Sequence, residues 1–163
     1  MLNRILFITL FVASSCLIKA QLTAPQLFVS MPDSLCPYFD MRTRLLMVEY
    51  FNESVHDSVE NVYDGKSCVI NKTDKYIKVH VADGFTMELI ADTTSFYLIQ
   101  TACAPICSSI VKHYFDYWQY IGEIKPDEDG LFMQAIVVDN QINWEDQTPL
   151  MLDEQEKQHY FLR

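Results

Sequence analysis

The sequence predicts an α+β domain in which short N-terminal helices pack on an antiparallel β-meander and a C-terminal helix closes the chain. Three observations predict it. Apolar residues recur at intervals of three and four up to about Asn52 and at intervals of two from Lys66 onward, which is the change from helical to strand periodicity. The connections between the alternating runs are only a few residues long, too short for the roughly dozen residues that join parallel strands. Asp153, with Glu156 three residues later, resembles a capping box and starts a helix through Phe161. Helices, then an antiparallel sheet, then a helix is the α+β arrangement.

The first element is a leader. Arg4, the apolar run Ile5 to Val12 and Ala20 before Gln21 follow the order of a secretory signal peptide. The run is shorter than the roughly 20 apolar residues of a membrane span. The expected division is therefore a signal peptide over residues 1–20 and a single domain over 21–163. An alternative makes Cys16 a lipid-modified N-terminus, because Ala13-Ser14-Ser15-Cys16 loosely resembles a lipobox.

Between Ala24 and Asn52, Pro25, Pro32 and Pro37 divide the helical pattern into two or three short helices, since proline is best placed in a first turn. Asp33 or Ser34, and Asp40, are the candidate caps. The stripe Leu45, Leu46 and Phe51 is expected to face the core.

Five strands are expected from about Lys66 to Trp118. Ile77, Val79 and Val81 alternate with Tyr76, Lys78 and His80, the mark of a half-buried strand. Asp83-Gly84 then reads as a hairpin turn with positive φ at both positions. Phe85 to Ile90 and Ser95 to Cys103 alternate again, Ala104-Pro105 interrupts, and Ser109 to Trp118 continues as a β-branched and aromatic strand. Ile121 to Gly130 reads as a polar loop, Leu131 to Val138 as a sixth strand and Gln141 to Glu145 as a short seventh.

Composition excludes several classes of function. In 163 residues, 22 acidic side chains face 12 basic ones, a formal charge of -10. No basic stripe is available to neutralise phosphates, so nucleic acid is not an expected partner, and an anionic membrane surface is disfavoured for the same reason. The chain is not read as an integral membrane protein. With 50% hydrophobic residues it can bury a core large enough to offset its ordering entropy.

Chemistry-bearing patterns are sparse. Of 5 cysteines, Cys36, Cys68, Cys103 and Cys107 follow the leader, and in an exported chain an even count favours disulfides. Cys103-Ala-Pro-Ile-Cys107 is the most suggestive spacing, with Cys36 and Cys68 as the candidate second pair. The 4 histidines, His56, His80, His113 and His159, stand apart from one another, and no paired-ligand zinc pattern occurs. No nucleophile elbow or phosphate-cradling glycine loop is present either. No catalytic residue, metal or cofactor is therefore assigned. The cluster Tyr114, Phe115, Tyr117, Trp118 and Tyr120 is the strongest binding signal. Alternation puts Tyr114 and Trp118 on one face, and Tyr114, Tyr117 and Trp118 are the candidate binding surface.

Together these residues carry a resemblance. The leader ending Ala-Gln, Ser30-Met31-Pro32-Asp33 followed by Leu35 and Tyr38, Asp64-Gly65-Lys66-Ser67, and Thr101-Ala102-Cys103-Ala104-Pro105 leading to Tyr114 and Trp118 resemble the exported family of Bacteroides-type bacteria known as domain of unknown function 3256. The likeness spans nearly the whole mature chain and departs from the family pattern from Asn143 onward. It implies a periplasmic, secreted or envelope-associated protein and carries no catalytic residue. The expected function is a non-enzymatic binding or envelope-assembly domain, its partner an envelope protein or a glycan. The alternative is a hydrolase whose site is assembled in space, with Asp and Glu near His80 or His113.

Overall fold

The computed structural model describes residues 22–53, 58–104, 106–127 and 132–147. The expected leader over 1–20 and the closing helix from Asp153 lie outside the described residues.

Thr23 starts the first helix, α1 (Ala24–Ser30), with a capping box: its side chain accepts from the Gln26 N–H, and the Thr23 N–H donates to the Gln26 side chain at 2.9 Å. A 3₁₀ turn follows at Asp33–Leu35, then α2 (Met41–Asn52). Asp40 caps α2 by accepting from the Thr43 N–H at 2.8 Å. The buried side of α2 is Arg44, Met47 and Val48, whereas Leu45, Leu46 and Phe51 are exposed. The expected core stripe is thus corrected. Arg44 turns inward because backbone carbonyls wait for its guanidinium, a match that hydrophobic periodicity does not register.

The strands are β1 (Val59–Glu60), β2 (Lys66–Lys72), β3 (Tyr76–Ala82), β4 (Phe85–Ala91), β5 (Ser95–Cys103), β6 (Cys107–Phe115), β7 (Gln119–Ile124), β8 (Met133–Val138) and β9 (Gln141–Asp146). The first seven lie in chain order across one antiparallel sheet, and β8 and β9 form a separate hairpin. Two strands were not expected. The pair-long β1 precedes Lys66, and β7 occupies the segment read as a polar loop. The strand read as Ser109 to Trp118 ends at Phe115, where a 3₁₀ turn at Asp116–Trp118 reverses the chain into β7. As a sheet edge β7 is almost wholly exposed, so no buried face imposes the alternation by which a strand is recognised.

Alternation in β3 is observed as expected: Ile77, Val79 and Val81 are buried against α1 and α2 in the main core. The opposite face is covered in part by β8 and β9, where Ala135 joins Ile90, Ile99 and Val111. The Ala135 N–H donates to Ser109 Oγ at 2.9 Å, and that oxygen lies 2.7 Å from Thr101 Oγ1.

The Asp83-Gly84 turn differs from its expected form. Of the pair only Gly84 has positive φ, at 69°, and the register shifts between His80 and Ala82 just before the turn. The turn with positive φ at both positions is Asp139-Asn140, between β8 and β9.

Cys103 and Cys107 are register partners joined by a disulfide, while Cys36 and Cys68 are free thiols. The candidate Cys36–Cys68 pair is therefore corrected. Cys36 sits in the main core just after the 3₁₀ turn, and Cys68 is on β2, half-buried opposite His80. Burial pushes the Cys36 thiol up from 9.0 to about 11. Its folded pKa exceeds its unfolded one, so the stability it contributes is complete below about 9 and is lost as pH rises toward 11. Denaturant midpoints should fall from pH 9 to pH 10 in the parent and less steeply in Cys36→Ala. Equal slopes would show that the thiol is not linked to folding.

Candidate functional site

The aromatic cluster converges on a groove of about 500 Å³, lined by Pro32, Ser34 and Leu35 on one side and by Lys112, Tyr114, Trp118 and Tyr120 on the other. Volumes of several hundred Å³ are the range of small-ligand sites. The first wall is the 3₁₀ turn, and two anchors hold it, one buried and one half-buried. Arg44, 1% exposed, donates to the carbonyl of Phe39 at 2.8 Å, to that of Met31, to that of Val29 at 3.4 Å and to Asp33 Oδ1 at 2.9 Å. From β5, Gln100 Nε2 donates to the Leu35 carbonyl at 3.3 Å.

The second wall is the β6–β7 hairpin. Tyr114, 3% exposed, is the floor and stacks on Phe96 with ring centroids 5.5 Å apart. Trp118 meets Phe96 edge-on at 4.7 Å and Tyr114 at 5.3 Å, and Tyr120 meets Tyr114 at 5.7 Å. Tyr114 and Trp118 share a side, although through the turn and not through continued alternation. Burial, and then neighbouring Tyr120, raises the Tyr114 phenol above its ordinary value, so it remains a neutral hydroxyl. Phe115 is exposed, and Tyr117 projects into solvent with 83% of its surface exposed.

The hairpin's backbone is strained. Tyr117 lies at φ 57°, ψ 35° and Trp118 at φ 63°, a left-handed conformation costing roughly 1–2 kcal/mol for an ordinary residue. Ring packing offsets this at Trp118. At Tyr117, with 83% of its surface exposed, burial returns little. One further atom is unsatisfied: Trp118 Nε1 is buried with no acceptor among the described residues.

The other titratable groups lie elsewhere. His80 is on β3 and His113 on β6, with β4 and β5 between them. The His113 ring stacks on Tyr97 at 4.6 Å, and its Nε2 is buried without a partner among the described residues. Glu88, nearly buried, accepts from the Tyr76 hydroxyl and pairs with Lys78 Nζ at 3.0 Å. Burial, and then that carboxylate, pushes the Tyr76 phenol far above its usual range. Among the described residues no three His, Cys, Asp or Glu side chains form a cation-sized group. No helix among them is long and apolar enough to cross a membrane.

Of the residues singled out from sequence, Tyr114 and Trp118 line the groove and Tyr117 does not, and Lys112 and the Pro32–Leu35 wall were not singled out. Lys112 carries no motif. The wall was read only as a cap at Asp33 or Ser34 and as part of the Ser30-Met31-Pro32-Asp33 landmark, neither of which marks a binding surface.

A family model described as "Protein of unknown function (DUF3256)" matches residues 16–158. The matched range extends past Asn143 to residue 158. No curated protein matches the chain. Among solved structures, "Structure of a domain of an uncharacterized protein from Porphyromonas gingivalis W83" is similar at 14% identity and a TM-score of 0.58, over 88% of this chain and 89% of that one. At that identity the likeness concerns the fold alone.

Proposed function

The chain belongs to the DUF3256 family of proteins of unknown function, and from that premise we propose that it is an exported, non-enzymatic binding domain of the periplasm or cell surface whose ligand site is the aromatic groove. The observation that carries this reading is the pair Tyr117-Trp118. Two consecutive aromatic residues are held at positive φ, one aimed at solvent and the other lining the groove with an unsatisfied N–H. Strain of this kind persists only where the surroundings enforce it, and it gathers at ligand-binding sites. Export is supported by Arg4, the Ile5 to Val12 run and Ala20, and a Cys103–Cys107 disulfide suits an oxidising compartment.

The test is a panel of envelope glycans and peptides offered to the purified mature chain, with Trp118→Ala and Tyr117→Gly beside it. Binding that both substitutions weaken at least tenfold supports the reading. No binding, together with turnover of glycosides or peptides, overturns it in favour of a hydrolase. Intact mass of the envelope-extracted protein tests export: a chain beginning at Gln21, or at a lipidated Cys16, supports it, and one beginning at Met1 sinks it.

A further inference from the structure

We infer that the groove takes an acidic saccharide, a sugar unit bearing a carboxylate, with Lys112 as the specificity-determining residue. This rests on the reading of the groove as a binding site and adds the class of ligand. The argument begins with what the walls offer. Trp118 Nε1 is itself buried and is not presented to a ligand, whereas Lys112 Nζ supplies up to three donors and no acceptor. Ser34, Tyr114 and Tyr120 add hydroxyls that give or take a proton according to their partner. The surplus is of donors, so the complementary ligand is rich in acceptors.

Hydrogen-bond counts do not separate a peptide from a saccharide, since a peptide unit and a sugar hydroxyl each bring one donor and two acceptor lone pairs, so the choice rests on the aromatic lining. A saccharide ring presents an oxygen at almost every carbon and an apolar C–H face that can lie against Tyr120 and Trp118. A groove of about 500 Å³ suits one or two such rings, within the usual range of small-ligand sites.

Charge decides which saccharide. Lys112 is the charged side chain lining the groove, and among the described residues no carboxylate lies within ion-pair distance of it. Its cross-strand neighbour on β7 is Glu123, and its neighbour on β5 is Leu98. A cationic ligand would meet Lys112 as a like charge, which excludes the cation–π use that three aromatic rings otherwise suggest. A carboxylate meets an opposite charge against apolar walls, where attraction is stronger than in bulk water.

The experiment uses the ¹⁵N-labelled mature chain titrated with digalacturonate, with its neutral counterpart galactobiose and with an N-acetylated tetrapeptide. The readout is the Trp118 indole N–H resonance. Trp144, which packs with Ala135 on the opposite face of the sheet, serves as the internal control. The expected result is a displaced Trp118 resonance with digalacturonate, at about tenfold tighter affinity than galactobiose, or about 1.4 kcal/mol. Lys112→Gln should bring the two sugars level, and raising the salt should narrow the difference in the parent.

Equal affinity for both sugars in the parent overturns the acidic class and leaves the groove a binding site. Tighter binding of the tetrapeptide than of either sugar overturns the saccharide class in the same way. Silence of Trp118 toward all three probes overturns the inference, while the reading of the groove itself falls only if the wider panel is silent as well.

Discussion

Arg44→Ala is expected to lower the unfolding free energy by about 3–5 kcal/mol, the range for removing one partner from a buried charged network. The guanidinium is 1% exposed and joins α2 to the carbonyls of Val29, Met31 and Phe39 and to Asp33. Hydrogen bonds from a charged donor contribute about 1.5–3 kcal/mol each and are not additive. Alanine removes them together, strands buried acceptors and leaves a cavity. Since small domains are stable by roughly 5–15 kcal/mol, this is a large share of the whole. Arg44→Lys should recover less than half of the loss, because an ammonium cannot reproduce the planar fork that reaches several carbonyls. Urea titration of the two variants decides it, and a loss below about 1 kcal/mol in Arg44→Ala would remove the clamp from the account.

The second large effect is expected at Gly84. Its φ is 69°, and a Cβ there would lie 2.4 Å from the Cys103 carbonyl oxygen. That approach cannot relax easily, because the Cys103 N–H also donates to the Gly84 carbonyl at 2.7 Å. Left-handed strain of about 1–2 kcal/mol adds to a crowding penalty of about 1–3 kcal/mol. Gly84→Ala should therefore lose about 2–4 kcal/mol of stability. Gly122 is the control, since a Cβ there meets nothing within 4 Å. Gly122→Ala should be neutral or stabilising by up to about 1 kcal/mol, as expected for glycine replaced inside a strand. Similar losses in the two variants would show that the contact with Cys103 is not the cause.

What could be read in advance follows from how burial writes itself into sequence. Strand β3 was legible because a core presses on one face and imposes a period of two, as Ile77, Val79 and Val81 show, whereas β4 is buried on both faces from Met87 to Ala91. No such pressure acts on β7, so Gly122 and Glu123 read as a loop although they pair with His113 and Lys112. The inward turn of Arg44 was hidden for the opposite reason: a cation on a helix reads as a solvated face until the carbonyls around it are known. Half of the groove was legible in the run from Tyr114 to Tyr120. The other half was not, because only tertiary packing brings Pro32 to Leu35 against that hairpin, as the Gln100 to Leu35 hydrogen bond across 65 residues shows.

The order of strands in the large sheet also sets how the chain finds its fold. Because each of the seven strands pairs with its neighbour in sequence, most pairings close short loops at small entropic cost. A low contact order of this kind favours rapid zippering from any one hairpin. The groove stands outside that scheme, since its walls come from distant parts of the chain and Gln100 reaches back to Leu35 only after β5 is in place. It is therefore completed late, when the N-terminal segment docks. A ligand held there binds only the finished fold, and mass action then makes its concentration a determinant of how long the whole domain stays folded.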